Sequence, residues 1–279
     1  VREFHILNLG AGVQSTTLYL MFLRGLIKPQ LHYAIFADTQ DEPKAVYSHL
    51  EWLQSLNGPP ILTRTKGRLS DHLKAGRNST GGRFISIPAF VKSVDGLNTG
   101  GGRRQCSNEY KIQVINQCVR REIVGLKPRQ RMPKDVHIHQ YYGISLDEGG
   151  RAQRIKANLA TNKYLTPHFP LIENLMTRAD CLTWLAKHGN VPHQVPRSAC
   201  VYCPYHNDAE WLRIRENQED WQLAVEVDEA IRVNRNLTHR QYLHKSCEPL
   251  TQIEFKPPTQ RDLQIAMNFT PDCMGVCGN

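Results

Sequence analysis

Apolar and polar positions alternate along the first 65 residues in a pattern that changes period several times. Phe4-His5-Ile6-Leu7-Asn8-Leu9 is a short apolar run of strand type, and the small-residue turn Gly10–Thr16 follows it. From Thr17 to Arg24 the apolar positions Leu18, Met21 and Phe22 recur at helical spacing, and Gly25 supplies a stop. Leu31 to Ala37 predicts a second strand ending at Asp38-Thr39. Pro43 opens a helix to Leu56 with Val46, Leu50 and Leu53 on one face, and Ile61 to Thr65 predicts a third strand. Strand–helix–strand–helix–strand is the order of a parallel sheet with covering helices.

Beyond this block the pattern weakens. Residues 76–104 hold Gly81-Gly82, Gly96, Gly100-Gly101-Gly102 and the basic residues Arg77, Arg83, Lys92, Arg103 and Arg104, and they predict a mobile loop able to close on a ligand. Glu109 to Ile123 predicts a helix, and Val136 to Ser145 a strand that feeds Asp147–Arg151. Thr177 is placed as an N-cap, with Asp180 three residues on, for a helix to about His188. Ala209 to Val233 reads as one charged helix whose Asp208, Glu210, Arg213, Arg215 and Glu219 make a solvated face, while Trp184, Trp211 and Trp221 fit helix core positions. His137 and His139 alternate on a strand and face one side; His168, His193, His206 and His244 stand alone, as structural or surface residues.

Composition narrows the class. Hydrophobic residues make up 40% of 279, charged residues 22%, and mean hydropathy is −0.48, which suits a globular chain of one α/β domain with an appended region. No apolar run approaches the roughly 20 residues of a membrane span, and the chain opens on a strand-like segment without a basic-then-apolar leader, so a cytoplasmic protein is expected. The net charge of +9 favours polyanionic ligands: a nucleotide first, and a nucleic acid as readily as a merely scattered surplus.

Chemistry concentrates at two places. A strand, a tight small-residue turn and a helix make an anion site, because free N–H groups at the helix start face the ligand. Gly10 and Gly12 admit phosphates close to the backbone, and Ser15 and Thr16 carry hydroxyls at the helix start. The loop lacks a Walker-type lysine, and Ser15 stands where a dinucleotide fingerprint has its third glycine. A Gly-rich connection without a ligand is the plain alternative. The second place is Cys200-Val201-Tyr202-Cys203-Pro204, a C-x-x-C pair whose two thiolates can hold one metal, with Cys106 upstream among Arg103, Arg104 and Lys111. Of the eight cysteines, Cys118 and Cys181 fall in helix-like stretches and are expected as inert core; a disulfide framework is not expected.

Leu9–Thr16 resembles the S-G-G-x-D-S-T loop of the ATP-pyrophosphatase (PP-loop) superfamily, nearest to phosphoadenylyl-sulfate (PAPS) reductases and DNA-phosphorothioation and sulfurtransferase proteins. Gly12, Ser15 and Thr16 match; Gly10, Ala11 and Gln14 replace Ser, Gly and Asp. Phe36–Glu42 resembles the strand end with Asp-Thr-Gly, and Gly143–Arg151 the G-x-R-x-x-x-S-x-x-R segment, with Ser145 in place of its first arginine. Arg103–Lys111 and the C-x-x-C resemble the cysteine segments of the assimilatory reductases, with Gln105 replacing one cysteine. The likeness runs from Phe4 to about Cys203.

The resemblance implies an adenine nucleotide alpha hydrolase-like, Rossmann-like fold: a parallel sheet with helices on both faces over residues 1–175, and a smaller, mainly helical cysteine-bearing region over 176–279 that completes a cluster site. It implies ATP or PAPS bound at Gly10, Ala11, Gly12, Gln14, Ser15, Thr16, Asp38, Gly143 and Arg151, with Mg2+ beside the phosphates. It implies a [4Fe–4S] cluster on Cys106, Cys200, Cys203 and a fourth cysteine, Cys277 in preference to Cys247 or Cys273. Cys273 and Cys277 in the tail and Asp38 are the implied catalytic residues. The implied activity is nucleotide-dependent sulfur transfer to a nucleotide or nucleic acid (DNA or tRNA), with a sulfur-donor protein as partner and oligomerisation left open. PAPS reduction, a zinc-containing amide-forming enzyme and a non-catalytic nucleotide- or nucleic-acid-binding module are the alternatives.

Overall fold

The computed structural model describes residues 1–81, 87–92, 98–100, 104–233 and 239–257. Five strands make one all-parallel sheet in the order β3-β2-β1-β6-β7: β1 (Arg2–Asn8), β2 (Tyr33–Asp38), β3 (Ile61–Thr65), β6 (Val136–Tyr142) and β7 (Leu165–His168). The interior of the three central strands is largely buried on both faces, as a parallel sheet requires, and the edge strands β3 and β7 are mostly half-buried. Leu7, Ala34, Phe36 and Tyr141 meet α1 (Val13–Leu23) and α2 (Lys44–Ser55) on one face; Ile6, Ile35 and Ile138 meet Val114, Ile115 and Cys118 on the other. The architecture is therefore Rossmann-like α/β, with helices flanking the sheet.

Chain direction reverses between β1 and β6. The chain runs outward from β1 through β2 to β3, then returns to pair β6 with β1 along all seven residues from Arg2↔Val136 to Asn8↔Tyr142. A crevice at the carboxyl ends of such a strand pair is where open α/β sheets bind ligands.

Several elements depart from expectation. Residues 76–104 are not a bare loop: after α3 (Leu69–Lys74), β4 (Phe90–Lys92) and β5 (Asn98–Gly100) pair antiparallel, and β4 also pairs with β8 (Gln241–Tyr242). Ile87 and Ala89 are buried in a second core with Leu69, Leu73, Trp211 and Val227. The expected helix at 109–123 begins earlier: α4 (Gln105–Ser107) and α5 (Gln113–Cys118) are linked and extended by π-helical turns at Asn108–Ile112 and Val119–Ile123. The segment after β6 turns at once into a 3-10 turn (Leu146–Glu148) and α6 (Gly149–Leu159), so Arg151 is helical and buried. α7 (Pro170–Glu173) leads to α8 (Arg178–Trp184), capped as expected by Thr177, whose hydroxyl accepts from the Asp180 N–H. The single helix expected over 209–233 is two, α9 (Asp208–Glu216) and α10 (Gln218–Arg232), because the Asn217 side chain caps the second by accepting from the Glu219 and Asp220 N–H groups.

The charged face of α9 is not fully solvated either. Glu210 packs against Arg197 and His206: burial pushes its carboxyl up, but the hydrogen bond with His206 and then the charge of Arg197 outweigh it and bring the pKa down to about 2. Cys118, Cys181 and Trp211 are core residues as expected. No helix among the described residues is long and apolar enough to cross a membrane.

Candidate functional site

Two groups of residues meet at the carboxyl edge of the sheet. The first is the loop after β1. Ala11 takes a φ of +57°, the left-handed region, at the position where the resembling loop carries glycine. The Ser15 Oγ accepts from the Gly10 N–H at 3.3 Å and from the Gly12 N–H at 3.2 Å, which ties the turn to the first turn of α1. Gly143, immediately after β6, lies against that turn. A Cβ at Gly143 would come within 2.7 Å of the Ser15 nitrogen and 2.8 Å of its Cα, so a backbone has been packed where no side chain fits.

Gln14 faces the segment after β6. Its Nε2 donates to Glu148 Oε2 at 3.0 Å and to Ser145 Oγ at 3.3 Å, while its Oε1 accepts from Arg178 Nη1 at 2.8 Å. Glu148 also accepts from Arg151 Nη1 at 2.8 Å. Gln14, Arg151 and Arg178 are buried, with Gln14 only 1% exposed, so two guanidiniums and a carboxylate are held in one network beside the phosphate-type loop. Sequence reasoning missed Arg178, which reads as an ordinary first residue of a capped helix. It also missed the role of Glu148, which brings a carboxylate to the neighbourhood where Gln14 has removed one.

Thr16 is engaged on the far side. Its Oγ1 lies 2.8 Å from His49 Nε2, and His49 Nδ1 lies 2.8 Å from His193 Nε2. His193 therefore does not stand alone. Burial, then the neighbouring His193, lowers the His49 pKa to about 3, so the buried ring is neutral. His49 sits three residues after Val46 on the buried stripe of α2, the one signal that could have found it.

The second group gathers after β2. Asp38 Oδ1 accepts from the Gln40 N–H at 2.7 Å and from the Tyr47 hydroxyl at 2.9 Å. Asp41 is fully enclosed: its carboxylate accepts from Arg68, from the Ser70 N–H and hydroxyl, and from the Tyr202 hydroxyl at 2.6 Å. The Val201 N–H donates to the Asp41 carbonyl at 2.9 Å, and Thr39 Oγ1 lies 3.2 Å from Cys200 Sγ. These contacts stitch the C-x-x-C turn to the carboxyl end of β2. The Cys200 carbonyl accepts from the Cys203 N–H and from His206 Nε2, both at 2.9 Å, which fixes the turn internally.

Beneath it lies a buried ion pair, Lys111 Nζ to Glu42 Oε1 at 2.8 Å, with side chains 5% and 0% exposed. Burial pushes the Cys200 thiol well above its ordinary range; Glu42 and Asp41 add to that push and Lys111 opposes it. Cys106 and Cys200 both pack against the core that holds Tyr202. Arg104 lies over the Tyr205 ring at 4.0 Å and donates to its hydroxyl at 3.0 Å. Cys106, Cys200 and Cys203 are partly exposed and outside any disulfide, whereas Cys247 is buried. Cys273 and Cys277 lie outside the described residues.

No three cysteine sulfurs among the described residues fall within 4.8 Å of one another; the one set of three metal-capable atoms that does is Glu3, His5 and His139. Thiols around a single zinc ion sit closer than that, since Zn–S is about 2.3 Å. Comparison with known proteins gives no match: no family model, no curated protein and no solved structure corresponds to the chain.

Proposed function

We propose that the chain is a nucleotide-dependent sulfurtransferase of the PP-loop kind, which binds ATP at the loop after β1 and carries an iron–sulfur cluster beside it. One observation carries the reading: the C-x-x-C turn is bonded to Thr39 and Asp41 at the carboxyl end of β2, the same sheet edge as the phosphate-type loop. A thiol-rich turn far from that edge would favour a structural metal instead.

The donor set suits a cluster better than one ion. Three partly exposed thiols come from two segments, no three of their sulfurs fall within 4.8 Å of one another, and Arg104 brings a positive charge to Tyr205 beside the C-x-x-C turn. A fourth ligand is expected from the tail, at Cys277 or Cys273. When bound, the cluster would supply the sulfur or the electrons for the transfer. The remaining roles fall to the protein. Backbone N–H groups of Val13 to Ser15, at the start of α1, would face phosphate oxygens. Arg151 and Arg178 offset charge on the pyrophosphate side, and Glu148 provides the carboxylate for Mg2+ that Gln14 does not. Asp38 orients the nucleotide, and the net charge of +9 suits a DNA or tRNA acceptor.

A PAPS-reductase reading is favoured by one specific feature, the neutral Gln14 held in a network with Arg178 and Glu148, since such an enzyme does not cleave ATP.

Purification without oxygen tests both. About four irons and four sulfides per chain, followed by pyrophosphate release from Mg2+–ATP, is the expected result. Sulfite release from PAPS without pyrophosphate release would select the reductase. A colourless, iron-free protein would overturn the cluster reading altogether.

A further inference from the structure

Strands β1, β6 and β7 carry a second group of chemistry-bearing side chains on the face that α1 covers, from Glu3 near the start of β1 to His168 at the end of β7. Parallel register sets His5 beside His139 and Glu3 beside His137, and sets Tyr141 beside His168. The period of two along each strand turns Glu3, His5, His139 and His168 to one side. His5 and His139 stack with ring centroids 4.5 Å apart and planes inclined by 12°.

Both rings are held by one nitrogen. His5 Nδ1 lies 2.9 Å from the Tyr141 hydroxyl, and His139 Nδ1 lies 3.0 Å from His168 Nε2. Fixing Nδ1 in this way is how proteins orient an imidazole whose Nε2 takes a metal. His139 Nε2 is buried without a hydrogen-bond partner and lies 3.8 Å from Glu3 Oε2. One ligand atom from each of Glu3, His5 and His139 falls within 4.8 Å of the others. A buried imidazole nitrogen without a partner is costly unless something binds it.

We propose that Glu3, His5 and His139 form a site for a divalent transition-metal ion of the zinc type, with two imidazole nitrogens, one carboxylate oxygen and water as ligands. Two histidines and a carboxylate suit such ions and not the hard, all-oxygen preference of Mg2+ or Ca2+. At a metal–nitrogen distance of 2.0–2.1 Å, tetrahedral ligand atoms lie about 3.3 Å apart. The 3.8 Å gap between His139 and Glu3 therefore closes by about half an ångström. The Glu3 side chain is 55% exposed and gives the ion its entry. The site lies roughly 10–17 Å of strand from the phosphate-type loop, at about 3.3 Å per residue. It bridges β1 and β6, the two strands that flank the ligand crevice, so the ion acts as a clamp on the crevice and not as a reagent within it.

Titration of the full chain with Co2+, followed by visible absorption, tests the proposal. The expected result is one Co2+ with ligand-field bands and no thiolate charge-transfer band. That signal weakens at least about tenfold in affinity in Glu3→Gln and in His139→Gln, persists in a Cys200→Ser/Cys203→Ser protein, and is displaced by Zn2+. Cobalt binding that survives Glu3→Gln and His139→Gln, or that disappears with the cysteines, would overturn it. Glu3 is exposed, so Glu3→Gln decides the matter even if His139→Gln fails to fold.

Discussion

Replacing Lys111 by methionine isolates the physics beneath the cysteine turn. Lys111 and Glu42 are 2.8 Å apart with almost no exposure. At an effective dielectric of about 20, that separation corresponds to roughly 6 kcal/mol of attraction, set against several kcal/mol of desolvation for each ion. The pair as a whole is thus worth little, but its half is expensive: Lys111→Met leaves the Glu42 carboxylate buried without its cation, and a neutral donor such as the Ser198 hydroxyl at 3.3 Å does not replace a charge. The expected loss is about 3–5 kcal/mol of folding stability. Lys111→Met/Glu42→Gln removes both charges and should recover most of that loss. Urea unfolding of the wild type, both single variants and the double variant closes the cycle. The two single losses simply adding in the double variant would refute the argument, as would a Lys111→Met cost below about 1 kcal/mol.

Other perturbations probe the phosphate-type loop and its support. Gly143→Ala forces a Cβ onto the Ser15 backbone and should cost about 1–3 kcal/mol while weakening ATP binding; unchanged urea midpoint and affinity would contradict the close packing. Ala11→Gly relieves a left-handed alanine and should raise stability by about 1 kcal/mol, read as a higher thermal midpoint. His49 has a folded pKa of about 3 against 6.5 in the unfolded chain, so the unfolded state takes up a proton first as pH falls. Its contribution is complete above pH 6.5 and is lost through the window down to about 3. His49→Gln should flatten the acid limb of urea midpoints measured at pH 7, 6 and 5, and parallel limbs would argue that His49 is already protonated in the fold.

The parts of this fold that could be read in advance are those with local signals. Apolar runs marked β1 to β3, and Thr177 with Asp180 marked the start of α8, because each depends on residues within a few positions of one another. α6 escaped notice because it begins Gly149-Gly150 and buries a narrow stripe of Arg151, Ala152 and Ile155. β7 is four residues long and contains Pro167. β4 is held by pairing with Gln241 and Tyr242, some 150 residues away, and nothing in a glycine-rich segment announces such a partner. Within the site, Ser15, Gln14 and the C-x-x-C pair were visible as motifs. Their contacts with Arg178, Glu148 and Asp41 were not, since they join positions over 130 residues apart. The grouping of His139 with His168 was likewise hidden until register aligned β6 with β7.

The stitch between Asp41 and the Cys200–Cys203 turn has a consequence for how the protein is born. Asp41 and Tyr202 are 161 positions apart, so at about 5–20 residues per second of translation the first waits roughly 8–30 s for the second. During that interval the nascent chain can assemble β1 to β3 and the loop beneath α1. Asp41 and Glu42 meanwhile face water, and Leu69, Leu73 and Tyr110 lack the α9 and α10 residues that later cover them. Closure of the cysteine turn onto the sheet is therefore a late event of biogenesis, and until then the half-made molecule carries this apolar surface uncovered.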